Sequence, residues 1–302
     1  MTQGTFPLIQ HRRLIGLSFA AMRSERRGAG SDIAGSRPYR PGDTIKAIDW
    51  AASARLSIAR GSDELVVREH YAEEAPRVVV VADRRAALAA TRAPLPWLDK
   101  ARVIDVAAKL ISDSAVAARS FIGYLDFGDG HDALWRPPRT QGDLGHLIDA
   151  RPFRAPRDNV ARALEHLVQQ RRDLPAGTFV FLLSDFLVPP DRTMWTRVTA
   201  RRWDVVPVLI QDPLWDATFP DVSRLVVPFV DADTGDVSRV RLTRREAAAV
   251  RDANEARLAA LRAMFRSLGM EAVEVTSDRA PDLLATFLAW ADRRLYTRGR
   301  KW

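Results

Sequence analysis

Hydrophobic positions in this chain alternate between two periods. A continuous apolar run occurs at 78–81 (VVVV), and predominantly apolar runs at 121–127 (FIGYLDF), 178–183 (TFVFLL) and 204–210 (DVVPVLI). Runs of this length without polar alternation predict strands buried on both faces, as in a parallel sheet. Between them the apolar residues recur at helical spacing. Val103, Ile104, Val106, Ala107, Leu110 and Ile111 predict a well-buried helix over 100–119, and Val160, Ala163, Leu164, Leu167 and Val168 predict one over 158–172. Thr243 and Glu246 form a capping-box pair that opens a helix to about Leu268, with Gly269 at its end. A short strand is expected over 271–276, and Pro281 starts a last helix through Leu295. Residues 225–230 and 237–242 flank DADTGD as a β-hairpin excursion. Strands alternating with helices predict an α/β fold, a mostly parallel sheet with helices on both faces.

The first 76 residues follow a different pattern. They hold short β-like runs, including LVVREH at 65–70, and a stretch rich in Gly, Ser and Pro. Within it lies RPYRPGDTIKAIDWAASAR, residues 37–55. Pro41-Gly42 is a turn signal, and Asp43 can hydrogen-bond the local backbone. The mixture of Arg37, Tyr39, Asp43, Asp49, Trp50 and Arg55 does not read as a simple amphipathic helix or strand. It reads as a scaffolding or recognition element, with Trp50 buried and linking this region to the α/β body.

The motif R-x-Y-x-P-G-D, then I-D-W, then A-R resembles the signature of the domain-of-unknown-function 58 family. The resemblance continues through LLSDF at 182–186, QDPLWDATFP at 211–220 and DADTGD at 231–236. It implies a bacterial, von Willebrand A-like protein that works beside a MoxR-type AAA+ ATPase and other von Willebrand A-like or membrane proteins. It also makes Arg37, Tyr39, Pro41, Gly42, Asp43, Asp49, Trp50 and Arg55 a structural or partner-binding motif. The implied organisation is an N-terminal β/loop region over 1–76, a von Willebrand A-like domain over 77–295 and a basic tail over 296–302. Larger members carry an N-terminal membrane anchor, and this chain resembles the short version.

The same resemblance implies a metal site, Asp-x-Ser-x-Ser after the first strand. Here the five residues are Asp83, Arg84, Arg85, Ala86 and Ala87, so both serines are missing. The later Thr position aligns with Asp158 and the final Asp with Asp185. A hard divalent cation needs several oxygen ligands. Arg84 or Arg85 is placed to neutralise Asp83 and Asp185 instead. The expectation is a degenerate site with no metal and no cofactor. Asp158 serves either as a third carboxylate or as a helix cap.

Other chemistry finds little support. Cysteine is absent, which removes disulfides and thiol catalysis. There is no P-loop, dinucleotide fingerprint or G-x-S-x-G elbow, and the five histidines have no metal spacing. Asp83 ends a buried strand, as do phosphoryl-accepting aspartates, yet DRRAA lacks the second Asp of the hydrolase pattern. A metal-dependent hydrolase at Asp83/Asp185 is therefore an alternative reading. So is a nucleic-acid-associated protein, because net charge is +8. Lysine occurs only at 46, 100, 109 and 301, so the basic side is almost all arginine. On the helix after Thr243, Arg244, Arg251, Arg262 and Arg266 share one face. Few aromatics interleave with the arginines, which disfavours nucleic acid. No secretory signal and no apolar run near ~18 residues is found, so a cytoplasmic protein is expected, peripheral to the inner membrane through partners. A non-enzymatic adaptor without a small-molecule substrate is the leading expectation.

Overall fold

The computed structural model describes residues 4–10, 33–39, 43, 45, 48–61, 64–70, 76–90, 98–170, 172–221, 226–231 and 236–299. They fall into two compact units, Ile15–Ala75 on one side and Met1–Leu14 with Pro76–Trp302 on the other.

The smaller unit holds β1 (Ile33–Pro38), α1 (Trp50–Arg60) and β2 (Val66–His70). The two strands pair antiparallel, with Arg37 opposite Val67. Asp49 caps α1 by accepting from the Ala52 N–H at 3.0 Å. Ser53 ties the helix to β2: its hydroxyl donates to the Asp49 carbonyl at 2.7 Å and accepts the Val66 N–H at 2.9 Å. Gly61 ends α1 in the left-handed conformation, φ 63°, which costs glycine little. Residues 49–55 are thus the cap and opening of a helix rather than an irregular element. Trp50 is the first helical residue and is 61% exposed, so the expectation of a buried indole is overturned. The side chain of Ser53, not the tryptophan, fills the inner face of this helix.

The larger unit is built on a six-stranded sheet. In chain order its elements are β3 (Arg77–Ala82), a 3-10 turn at Ala86–Ala89, α2 (Lys100–Ala117), β4 (Phe121–Asp126), β5 (Leu134–Thr140), α3 (Gly145–Asp149), α4 (Asn159–Gln169), β6 (Phe179–Ser184), α5 (Arg192–Thr199) and β7 (Asp204–Ile210). There follow β8 (Val226–Val230), β9 (Val237–Arg241), α6 (Arg244–Ser267), β10 (Val273–Val275) and α7 (Ala280–Gly299). The sheet order is β10-β7-β6-β3-β4-β5, parallel except for the β5 edge. Alternate side chains of each strand serve different cores. Val78, Val80, Phe179 and Phe181 pack with α2 and α7, whereas Val79, Val81, Val180 and Leu182 pack with α4, α5 and α6. This is the mostly parallel sheet covered on both faces that was expected, with the VVVV strand central and β6 beside it.

Several details differ from expectation. Phe6 belongs to the core of the larger unit, stacked on Phe287 at 4.7 Å between ring centroids. The antiparallel β5 carries Pro137 and Pro138, which an edge strand tolerates because it need not donate on both sides. Helix α7 runs to Gly299, so the residues just beyond Leu295 are helical rather than a loose tail. The predicted capping box of α6 is present, with Glu246 and Thr243 bonded reciprocally. β8 and β9 pair antiparallel, as expected of the hairpin excursion, and residues 232–235 between them lie outside the described residues. Among the described residues no helix is long and apolar enough to cross a membrane.

Candidate functional site

Counted along the chain, the six sheet strands lie in the order 6-5-4-1-2-3. The order reverses between the first, β3, and the fourth, β6. Ligands of open α/β sheets bind beyond the carboxyl ends of the strands at such a switch point. Asp83 follows β3, Asp185 follows β6, and both are buried.

The chain places its own cation between them. Arg85 donates from Nε to both oxygens of Asp83, each at 3.0 Å, and from Nη2 to Asp83 Oδ2 at 2.7 Å. The same Nη2 also reaches Asp185 Oδ1. Of the two arginines left open by the sequence, Arg85 is therefore the one that bridges the aspartates. Arg84 turns the other way. It donates to Tyr124 Oη at 2.9 Å, pairs with Asp105 at 2.7 Å and lies over the Phe153 ring. Burial pushes the Tyr124 hydroxyl pKa far up, which keeps it neutral beside Arg84.

Further groups complete the shell. Ser184 Oγ donates to Asp83 Oδ2 at 2.7 Å, and Asn159 Nδ2 to Asp83 Oδ1 at 3.0 Å. The Leu187 N–H donates to Asp185 Oδ1 at 3.0 Å. Lys100, the first residue of α2, reaches Asp185 Oδ2 at 3.1 Å and Asp216 Oδ2 at 2.7 Å. A lysine at a helix N-terminus opposes the helix dipole, and the two carboxylates offset that. Gln211 donates its side-chain amide to the Asp185 carbonyl and accepts from Arg257 at 3.0 Å. Phe186 has a positive φ of 51°, and its ring is held against Trp195 and Phe265, so the strained turn after Asp185 rests on the core.

The electrostatics follow from this packing. Burial disfavours the charged form of Asp185, yet Lys100 and Arg85 outweigh it and hold its carboxyl at about 2. Burial likewise opposes charge on Lys100, but Asp185 and Asp216 raise it above the usual lysine value. Both aspartates at the switch point have every oxygen engaged by chain donors.

Two positions singled out by the sequence stand elsewhere. Asp158 does not join the site. Its side chain is exposed, makes no cap bond and pairs with Arg162 one turn on at 2.8 Å. The neighbouring Asn159 is the buried residue that reaches Asp83. Ala87 lies on the 3-10 turn and offers no ligand atom. Of the N-terminal motif, Arg55 is exposed and donates to the Ala51 carbonyl at 3.2 Å. Pro41 and Gly42 lie outside the described residues. Sequence reasoning missed Lys100, Asp216 and Asn159. The rarity of lysine in this arginine-rich chain was the signal that could have marked Lys100.

The residues do not fit a divalent cation. A divalent cation needs several oxygen ligands, whereas Asp83 and Asp185 already share the Arg85 guanidinium and the nearby Ala87 carries only a methyl group. Among the described residues no group of three or more Asp, Glu, His or Cys is arranged to hold a metal. The histidines are scattered: His166 meets Trp135 edge-on, and His131 contacts Arg162.

The chain is similar to solved structures of an aerotolerance-related membrane protein from Bacteroides fragilis NCTC 9343 and of the conserved hypothetical protein BatB from Bacteroides thetaiotaomicron. The first shows 12% identity and a TM-score of 0.37, the second 10% and 0.35; each match covers 72% of this chain and 99% of the other. It is 29% identical over 227 residues to the uncharacterized proteins Rv1480 of Mycobacterium tuberculosis (strain H37Rv) and Mb1516 of Mycobacterium bovis. Those matches cover 70% of this chain but only 63% of the relatives' length. Residues 35–264 match the family described as "Protein of unknown function DUF58", and the chain belongs to that family.

Proposed function

We propose that this protein is a non-enzymatic interaction module in which the switch-point site has become an internal salt-bridge cluster. One observation carries the reading: Arg85 and Lys100 occupy the acceptor oxygens of Asp83 and Asp185 that a metal, a phosphoryl group or a proton would need. Asp83, Arg85, Ala87 and Asp185 are on this reading degenerate metal-site positions, with Asn159 rather than Asp158 completing the cluster. No nucleophile is left free there, and a carboxylate bound by a guanidinium and held at low pKa is a poor general base.

The working partner is a MoxR-type AAA+ ATPase, as the family resemblance implies, in protein maturation, complex assembly or stress response. The N-terminal motif supplies a surface for such a partner. Trp50 and Arg55 are both exposed on α1, and tryptophan and arginine are among the residue types enriched at binding hot spots. The expected location is the cytoplasm, at the inner membrane only through partners.

Affinity purification from the native host, with and without ATP, tests the reading. The expected result is recovery of a MoxR-type ATPase that is lost with Trp50→Ala. Turnover of a phosphoester substrate that requires Mg²⁺ and Asp185 would replace the adaptor with a hydrolase. Nucleic-acid binding with a steep salt slope would replace it with a phosphate-binding protein.

A further inference from the structure

Strand β9 is an open sheet edge of defined chemistry. Its five residues, Val237–Arg241, are all exposed, and among the described residues it pairs only with β8. The hydrogen-bond phase of this hairpin can be read directly. The Asp231 N–H donates to the Asp236 carbonyl at 2.9 Å, so that facing pair is of the bonded type. Bonded and non-bonded pairs alternate along an antiparallel ladder. Phe229/Ser238 and Val227/Val240 are therefore bonded pairs, and Val230/Val237, Pro228/Arg239 and Val226/Arg241 are not. Pro228, which has no N–H, falls on a non-bonded position, as this phase requires. The N–H and C=O groups of Val237, Arg239 and Arg241 thus point outward along the free edge of β9.

The side chains of the same three residues lie on one face, because side chains repeat every second position. On the opposite face Val227 is buried against Trp215, Phe219 and Leu242, which anchors the hairpin to the larger unit. Val237, Arg239 and Arg241 therefore present one apolar and two cationic groups beside three open backbone donors and acceptors. Among the described residues no carboxylate pairs with Arg239 or Arg241.

We propose that the β9 edge binds an extended acidic segment of another protein by strand addition. Backbone pairing gives the affinity in this mode, and alternate side chains give the specificity. In antiparallel register, carboxylates spaced two residues apart stand opposite Arg241 and Arg239, and an apolar residue follows opposite Val237. The recognised pattern is acidic-x-acidic-x-apolar. A second copy of this chain is the wrong occupant. Antiparallel pairing of two β9 edges about Arg239 would put like charges directly opposite each other, which is destabilising. Cationic edges commonly prevent self-pairing; here the same arginines select a strand of opposite charge. This inference does not rest on the identity of the partner ATPase.

The test uses the full chain and a labelled peptide, Thr-Glu-Thr-Glu-Thr-Val-Thr, with blocked ends. Its control has the same composition with the two glutamates adjacent, so that they point to opposite faces. Fluorescence anisotropy should show binding to the first and at least about tenfold weaker binding to the second. Val237→Pro removes one outward N–H without touching the β8 ladder or any charge, and it should weaken binding at an unchanged melting temperature. The double variant Arg239→Glu, Arg241→Glu should abolish it. On the unmodified protein, peptide should slow amide exchange at Val237, Arg239 and Arg241. Equal binding of both peptides, protection elsewhere but not on β9, or protection that grows with protein concentration in the absence of peptide would each overturn the proposal.

Discussion

Replacing Arg85 by serine tests the switch-point cluster most directly. The guanidinium spans Asp83 and Asp185, both of which are buried. Without it Asp83 keeps Ser184 at 2.7 Å and Asn159 at 3.0 Å, and Asp185 keeps Lys100 at 3.1 Å. Neither neighbour of Asp83 carries a charge, so one buried carboxylate loses its counterion. Removing one member of a buried ion pair costs about 3–5 kcal/mol. For a unit of this size that is on the order of 10 °C in melting temperature. Arg85→Ser also puts a hydroxyl oxygen beside Asp83 and Asp185. Millimolar Mg²⁺ should then recover part of the loss, about 2.7 kcal/mol if the ion is present at a hundred times its dissociation constant. Arg85→Lys should fall between, because a lysine keeps the charge but not the fork that reaches two carboxylates. Thermal unfolding of the three proteins, with and without Mg²⁺, gives the comparison. The unmodified protein should not respond to Mg²⁺. A clear Mg²⁺-dependent stabilisation of the unmodified protein, abolished by Asp185→Ala, would refute the reasoning and return a metal to the site.

Two further outcomes follow from the structure. Asp185 has its pKa depressed to about 2 from the ordinary 3.8, so its contribution of about 2 kcal/mol is complete above the unfolded value and lost as pH falls through the folded one. Lys100→Met should raise that carboxyl and move the acid loss of stability to higher pH in melting curves taken between pH 7 and 2; an unshifted acid limb would contradict the pairing. Trp50→Ala should change unfolding free energy by less than about 1 kcal/mol, since the ring is mostly exposed, instead of the ~3–5 kcal/mol of a buried aromatic. A large fall in the denaturant midpoint would mean that the indole is covered after all.

The sheet was legible in the sequence because its signals are local. VVVV and the FVFLL part of TFVFLL are apolar at every position, and a strand covered on both faces uses such a run. The Thr243/Glu246 capping box likewise marks its helix within four residues, and it is present where predicted. That Asp83 and Asp185 both end central strands followed from the same runs, and with it their place at the carboxyl end of the sheet. The missing serines and the adjacent arginines were visible too. Which arginine turns inward was not. Arg84 and Arg85 are adjacent, and their opposite directions depend on Tyr124 and Asp105 on one side and Asp185 on the other, residues up to a hundred positions away. The choice between Asp158 and Asn159 depends on a single step in the start of α4, one below the precision of any pattern. Trp50 misled for a related reason. A tryptophan's large apolar area favours burial on average, but the Asp49 cap fixes it at the first position of α1, and there the helix turns it outward. The sequence determined the strands and the carboxylates and arginines that stand at their ends. Only the tertiary structure decided which charges meet, because ion pairs across a sheet are set by side-chain direction at strand ends rather than by any period along the chain.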